Sequence, residues 1–189
     1  MSLIMVIGDK DRIIATSDGR VSDIDSAGNH IVLRENQCKI HRLSDKTIVL
    51  FAGILSQCAQ VVSALDSVPK ITGTPQFYSD ILRKTIQKCA PDNNGEINVK
   101  LIIAGLNDRG QREWWSHKID NNGMQYEQCV MDSTLRYLAL GDIAPGEHDY
   151  IQDNLNNSQL PLQDRIKMCF QQAAQQHQSI NTKLYWALI

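Results

Sequence analysis

Four residues of this chain could do chemistry together: Ser2, Asp18, Lys39 and Gly53. A serine hydroxyl is a weak nucleophile and needs a base. With Met1 removed, the freed α-amine of Ser2 would supply one. The ordinary pKa of such an amine, about 7.7–8.0, leaves much of it neutral near physiological pH. A nearby lysine ammonium would lower that pKa and stabilise the alkoxide formed during attack. An aspartate would hold the lysine and balance its charge. Taken singly, each residue has a plain structural explanation. Met-Ser is an ordinary start, Asp18-Gly19 a turn, Lys39 a solvated strand residue and Gly53 a strand-to-helix junction.

Competing chemistries leave little trace. There is no GxSxG elbow, no glycine-rich loop ending in GK[ST] and no HExxH. The five histidines (30, 41, 117, 148 and 177) show no paired spacing, so neither a metal nor a cofactor is expected. Five cysteines without a CxxC pair fit small buried hydrophobes in a reducing cytoplasm better than a disulfide or zinc framework. Asp-Asn-Asn-Gly occurs at 92–95 and 120–123, where turn chemistry is a simpler explanation than a calcium loop.

Strands must position the four residues. Apolar runs at 3–8 and 12–17 predict two short buried strands joined by a turn at 9–11. A polar loop is expected from Asp18-Gly19 to about His30, then strands at 38–43 and 47–53 around a tight turn at 44–46. Helical spacing follows over 54–68, with Ile54, Cys58, Val61, Val62, Leu65 and Val68 on one face. A second helix is expected over about 76–89, with Phe77, Ile81 and Ile86 inward. Strands return at 97–106, 112–119, 124–130 and 135–141. Residues 142–160 read as loop with a short helix. An amphipathic helix over 162–177 turns Leu162, Ile166, Cys169, Phe170 and Ala173 inward, and a strand over 182–189 closes the chain. Strands and helices come in blocks, which predicts an α+β fold with mainly antiparallel sheets and helices outside.

The 189 residues suit one domain, 1–189, and no repeat or glycine-rich linker divides them. A net charge of −2 with no basic stripe argues against nucleic acid as a partner. No apolar run reaches the roughly 20 residues of a membrane span. No signal peptide is visible, and a cytoplasmic location is expected.

The first 53 residues resemble the proteasome β-subunit family, which includes the peptidase subunit of the bacterial two-component ATP-dependent protease. The resemblance is carried by Ser2, the Asp18-Gly19-Arg20 signature, Lys39 ahead of a short β run, and Ala52-Gly53. It implies a four-layer αββα sandwich of two mainly antiparallel sheets, like that of the N-terminal-nucleophile hydrolases. It makes Ser2 the nucleophile, Asp18 and Lys39 its charge partners, and the Gly53 N–H part of an oxyanion hole. It places Val21, Phe51 and Leu55 on the wall of an apolar specificity pocket. It puts Asp142 where the family has a supporting serine, and Ser179 in place of the serine of a late Asp-x-x-Ser-Gly-Gly. Here those stretches read Leu140-Gly141-Asp142-Ile143 and Gln176-His177-Gln178-Ser179-Ile180-Asn181, without that acid or either glycine. The expected substrate is a peptide or unfolded protein, the expected assembly a homo-oligomeric ring, and any ATPase a separate protein. Two alternatives stand beside the peptidase: a proteasome-like subunit without catalysis, and an amidase of the same fold acting on a small molecule.

Overall fold

Among the described residues, six strands precede the first helix. They are β1 (Leu3–Asp9), β2 (Arg12–Asp18), β3 (Val21–Ile24), β4 (His30–Arg34), β5 (Ile40–Arg42) and β6 (Thr47–Gly53). Helices α1 (Leu55–Asp66) and α2 (Pro75–Thr85) follow, then β7 (Asn98–Leu106), β8 (Arg112–Asp120), β9 (Gly123–Val130) and β10 (Arg136–Gly141). Helices α3 (His148–Asn156) and α4 (Leu162–Gln176) lead to β11 (Leu184–Leu188). The computed structural model describes residues 2–24, 30–68, 73–85, 91, 95–141, 143 and 148–189.

Among the described residues, every strand pairing is antiparallel. One sheet runs β10-β1-β2-β11, a second β5-β6-β7-β8-β9, and β3-β4 form a separate ribbon. The central strands bury both faces, which is why they read as continuous apolar runs rather than alternating ones. In β1, Leu3, Met5 and Ile7 pack with Ile151 of α3 and Ile166 and Phe170 of α4. Ile4 and Val6 instead join Ile48 and Leu50 of β6 and Ile102 of β7. The other face of β6 and β7 gives Val49, Leu101 and Ile103 to a cluster with Val61 and Leu65 of α1 and Tyr78 and Leu82 of α2. Each such side chain contributes about 1.5–3 kcal/mol by leaving water.

The helix starts follow local chemistry. Pro75 opens α2, and Thr74 Oγ1 accepts a hydrogen bond from the Phe77 N–H at 3.3 Å, a side-chain N-cap. The amphipathic faces expected for α1 and α4 are the buried ones: Cys58, Val61, Val62 and Leu65, and Ile166, Cys169, Phe170 and Ala173. Asp120 and Gly123 end β8 and start β9, as the hairpin signal predicts.

The expectation of an unbroken polar loop to His30 is corrected. Residues 21–24 and 30–34 pair as the β3-β4 ribbon, which leaves Ile31, Val32 and Leu33 largely exposed. The strand expected at 38–43 is shortened to Ile40–Arg42, and α1 ends at Asp66 rather than at residue 68. Ile86 and Cys89 of the expected second helix, and most of the 90–95 loop, lie outside the described residues. Among the described residues, no helix is long and apolar enough to cross a membrane.

His117 of β8 has a consequence for stability. Its ring is fully buried, stacks on Tyr126 of β9 at 6.0 Å, and finds no hydrogen-bond partner among the described residues. Burial, helped by the Arg83 guanidinium of α2, pushes its pKa down to about 4. The unfolded chain takes up this proton near pH 6.5 and the folded chain does not. Stability therefore falls as the pH drops below 6.5 and has lost roughly 3 kcal/mol from this group once the pH is below 4. Urea unfolding at pH 7, 5 and 4 is expected to show that loss, and His117→Phe to remove this part of it.

Candidate active site

The strand ends bring Ser2, Asp18 and Lys39 to one place. Ser2 immediately precedes β1 and is 5 % exposed. Asp18 is the last residue of β2, antiparallel to β1, and is fully buried. Its Oδ1 accepts the Leu3 N–H at 2.9 Å, one residue from Ser2. Its Oδ2 accepts the Arg20 N–H, also at 2.9 Å.

Lys39 lies just ahead of β5. Its backbone carbonyl accepts the Phe51 N–H at 3.1 Å, which extends the β5-β6 ladder towards Gly53. Its Nζ is 2.7 Å from Asp18 Oδ1 and donates at 2.6 Å to the Arg20 carbonyl. One carboxylate oxygen thus touches both the lysine and the peptide that follows Ser2. Lys39 is only 2 % exposed, so it is a buried ion-pair partner and not the solvated strand residue of the plain explanation. Burial pushes the Asp18 carboxyl up and the Lys39 ammonium down. Their mutual contact, and the two N–H groups on Asp18, pull back towards the charged forms.

Gly53 closes β6 at the junction with α1. Its φ is +117°, and a Cβ there would lie 2.1 Å from the Asn98 carbonyl oxygen. Only glycine fits this conformation and this approach. The junction is pinned from both sides. The Ile54 N–H donates to the Asn98 carbonyl at 2.8 Å, and the Gln57 side chain bonds the Glu96 carbonyl and the Asn98 N–H.

The other expected site residues are more scattered. Val21 starts β3 and is buried. Phe51 is half-buried and packs against the cluster beneath α1 and α2. Leu55 opens α1 and is exposed. Ser179 is buried between α4 and β11, flanked by Gln178 and Asn181, both of which bond the Asp18-Gly19-Arg20 turn. Asp142 lies outside the described residues.

Several residues around the site had no sequence signal of their own. Lys100 of β7 donates to the Gly141 carbonyl of β10 at 2.8 Å and so ties the two large sheets together. It does so at the Ser2 end, because a Cβ on Gly141 would sit 1.9 Å from the Ser2 carbonyl oxygen. Arg20 pairs with Glu35 at 2.9 Å, and Glu35 in turn accepts from Asn181.

No protein-family model matches this chain, and no curated protein matches it by sequence. Solved structures do match. Eukaryotic HslV from Trypanosoma brucei superimposes with a TM-score of 0.67 at 16 % identity, over 98 % of each chain. The Anbu complex from Pseudomonas aeruginosa, solved as a helical assembly, gives 0.68 at 15 % identity, over 99 % of this chain and 80 % of that one. Both are proteasome-type proteins of the N-terminal-nucleophile hydrolase class. At these identities the likeness is one of fold. This chain has the proteasome-type fold that its first 53 residues led us to expect.

Asp18→Ala would strand a buried ammonium, the buried Leu3 N–H and the partly buried Arg20 N–H. It is expected to cost about 3–5 kcal/mol. A urea midpoint lowered by that loss divided by the slope, with the slope itself unchanged, would confirm it.

Proposed function

We propose that this protein is a peptidase of the proteasome type, with Ser2 as nucleophile once removal of Met1 frees its α-amine. The observation that carries this is the shared oxygen of Asp18: Oδ1 bonds both Lys39 Nζ and the Leu3 N–H, and so holds an ammonium beside the Ser2 peptide. In this mechanism the neutral amine takes the proton from Ser2 Oγ as that oxygen attacks the scissile carbonyl. The Gly53 N–H faces the oxyanion. Collapse of the tetrahedral intermediate breaks the C–N bond, the amine's extra proton leaves with the departing amine, and water then hydrolyses the seryl ester. Lys39 keeps the amine's pKa low and favours the alkoxide.

The wider reading follows the resemblance. Residues 1–189 form one domain, and the three apolar clusters support an αββα sandwich with α1 and α2 on one outer face and α3 and α4 on the other. The substrate is a peptide or unfolded protein with an apolar residue before the scissile bond, received by Val21, Phe51 and Leu55. The chains form a homo-oligomer. The helical assembly of the Anbu complex supports this, as do the exposed Ile31, Val32 and Leu33 of β4. Any ATPase is a separate protein of the cytoplasm. The replaced late motif at 176–181 favours a second reading, a subunit of this fold without catalysis.

Intact-mass measurement on the native protein should show the loss of Met1, and full retention would exclude Ser2 as an N-terminal nucleophile. A peptide epoxyketone or β-lactone should then form one covalent adduct per chain, absent from Ser2→Ala. Peptide turnover should fall in the same variant by roughly 10⁴-fold or more. An adduct-free wild type with Met1 removed would favour the non-catalytic subunit, and cleavage of small amides alone would favour the amidase.

A further inference from the structure

We infer that Asn181 is a positioning residue that holds the Asp18-Gly19-Arg20 turn, and through it the Lys39 ammonium, with Glu35 and Arg20 as its partners. The inference rests on Ser2 being the nucleophile, because the turn matters to chemistry only if Lys39 serves Ser2.

Asn181 sits between α4 and β11, 162 residues from Gly19, and is 8 % exposed. Its Oδ1 accepts the Gly19 N–H at 2.9 Å. Its Nδ2 donates to the Glu35 backbone carbonyl at 3.2 Å and to the Glu35 carboxylate. That carboxylate also takes Arg20 Nε at 3.1 Å and lies 2.9 Å from Arg20 Nη2. Arg20 Nη1 donates at 2.6 Å to the Gln178 carbonyl, three residues before Asn181. Hydrogen bonds from Asn181 and Arg20 hold the Glu35 carboxyl below its usual range.

The turn is thus clasped on three sides. A Cβ on Gly19 would lie 2.9 Å from the Glu35 carbonyl oxygen and 3.3 Å from that of Lys183, so the packing is close as well as bonded. The clasp fixes atoms the site uses. The Arg20 N–H holds Asp18 Oδ2, and the Arg20 carbonyl receives Lys39 Nζ. Loss of the asparagine amide would leave the Gly19 N–H buried without an acceptor and free Glu35 and Arg20 to drift. The Arg20 carbonyl would move with them, and the ammonium that it and Asp18 hold would lose its fixed place beside Ser2.

The swap variant Asn181→Asp with Glu35→Gln tests the geometry directly. It exchanges carboxylate and amide, keeping an acceptor for Gly19, an amide-to-carboxylate bond between the two side chains and an acceptor for Arg20, and giving up only the donor to the Glu35 backbone carbonyl. Two readouts are taken on the mature protein with Met1 removed: hydrogen exchange at the Gly19 amide, and the pH dependence of Ser2 acylation by a β-lactone. Asn181→Ala is expected to speed Gly19 exchange and slow acylation by about tenfold each. Its acylation profile should move to higher pH, because a displaced Lys39 no longer depresses the amine's pKa. The swap variant should recover both readouts to within about threefold of wild type.

Faster exchange with unchanged acylation and unchanged profile would overturn the inference, since the clasp would then be structural only. Unchanged exchange in Asn181→Ala would overturn it too. A swap variant no better than Asn181→Ala would overturn the assignment to the Gly19 and side-chain-to-side-chain bonds, the ones the swap preserves. A wild type that exchanges Gly19 slowly but is never acylated would remove the nucleophile reading, and with it the catalytic meaning of the clasp. Failure of the clasp itself shows differently, in variants compared against an acylated wild type.

Discussion

The Asp18 carboxylate is the constraint on which the site depends. It is fully buried, and a buried carboxylate persists only if its lone pairs are occupied. Three donors occupy them: the Leu3 N–H, the Arg20 N–H and Lys39 Nζ. Each comes from a different segment, so the charge is tolerated only when β1, the turn after β2 and the approach to β5 are all in place. A buried ion pair is weak evidence for net stability, because desolvation offsets most of the attraction. What this one provides is register. A slip of β1 against β2 by one residue would withdraw the Leu3 N–H and reverse every side chain of the strand.

The surrounding fold makes such a slip costly. β1 buries Leu3, Met5 and Ile7 against α3 and α4, and Ile4 and Val6 against the second sheet. With both faces apolar, the faces alone discriminate poorly between registers. Specificity then falls to the polar ends and to close backbone approaches. Gly141 against the Ser2 carbonyl and Gly53 against Asn98 are two such approaches, each leaving no room for a Cβ. Lys100 adds a hydrogen bond between the sheets at that same end. Rigid backbone junctions are what a preorganised hydrolytic site requires, since donors must already point at charge that appears only during reaction.

The legible parts of the fold were those written in short-range pattern. Apolar runs marked β1, β2, β6 and β7, and helical spacing marked the buried faces of α1 and α4. The β3-β4 ribbon was missed although Ile31-Val32-Leu33 is an apolar run: its partner strand is only Val21-Ser22-Asp23-Ile24, and no tight-turn signal marks the two as a pair. At the site, the spacing of Ser2, Asp18, Lys39 and Gly53 could be read only as a set. The burial of Lys39 reversed its plain explanation, and nothing in the Cys38-Lys39-Ile40 stretch announces a buried ammonium. Glu35 and Asn181 were silent for a different reason. Their contacts to the turn span 15 to 162 residues, and sequence pattern carries no record of such separations.

Two charge pairs flank the turn after β2. Asp18 neutralises Lys39, and Glu35 neutralises Arg20. The two pairs meet at Arg20, whose side chain serves one and whose backbone carbonyl serves the other. In the proposed mechanism the influence of Lys39 on Ser2 acts through position. An ammonium one peptide away lowers an amine's pKa only while it is held there; let it rotate into solvent and screening removes the effect. The task in that mechanism is to keep Lys39 where Asp18 and the Arg20 carbonyl hold it. A buried asparagine that donates and accepts at once is well suited to that task, since it can satisfy the Gly19 N–H and the Glu35 carboxylate without adding a charge of its own.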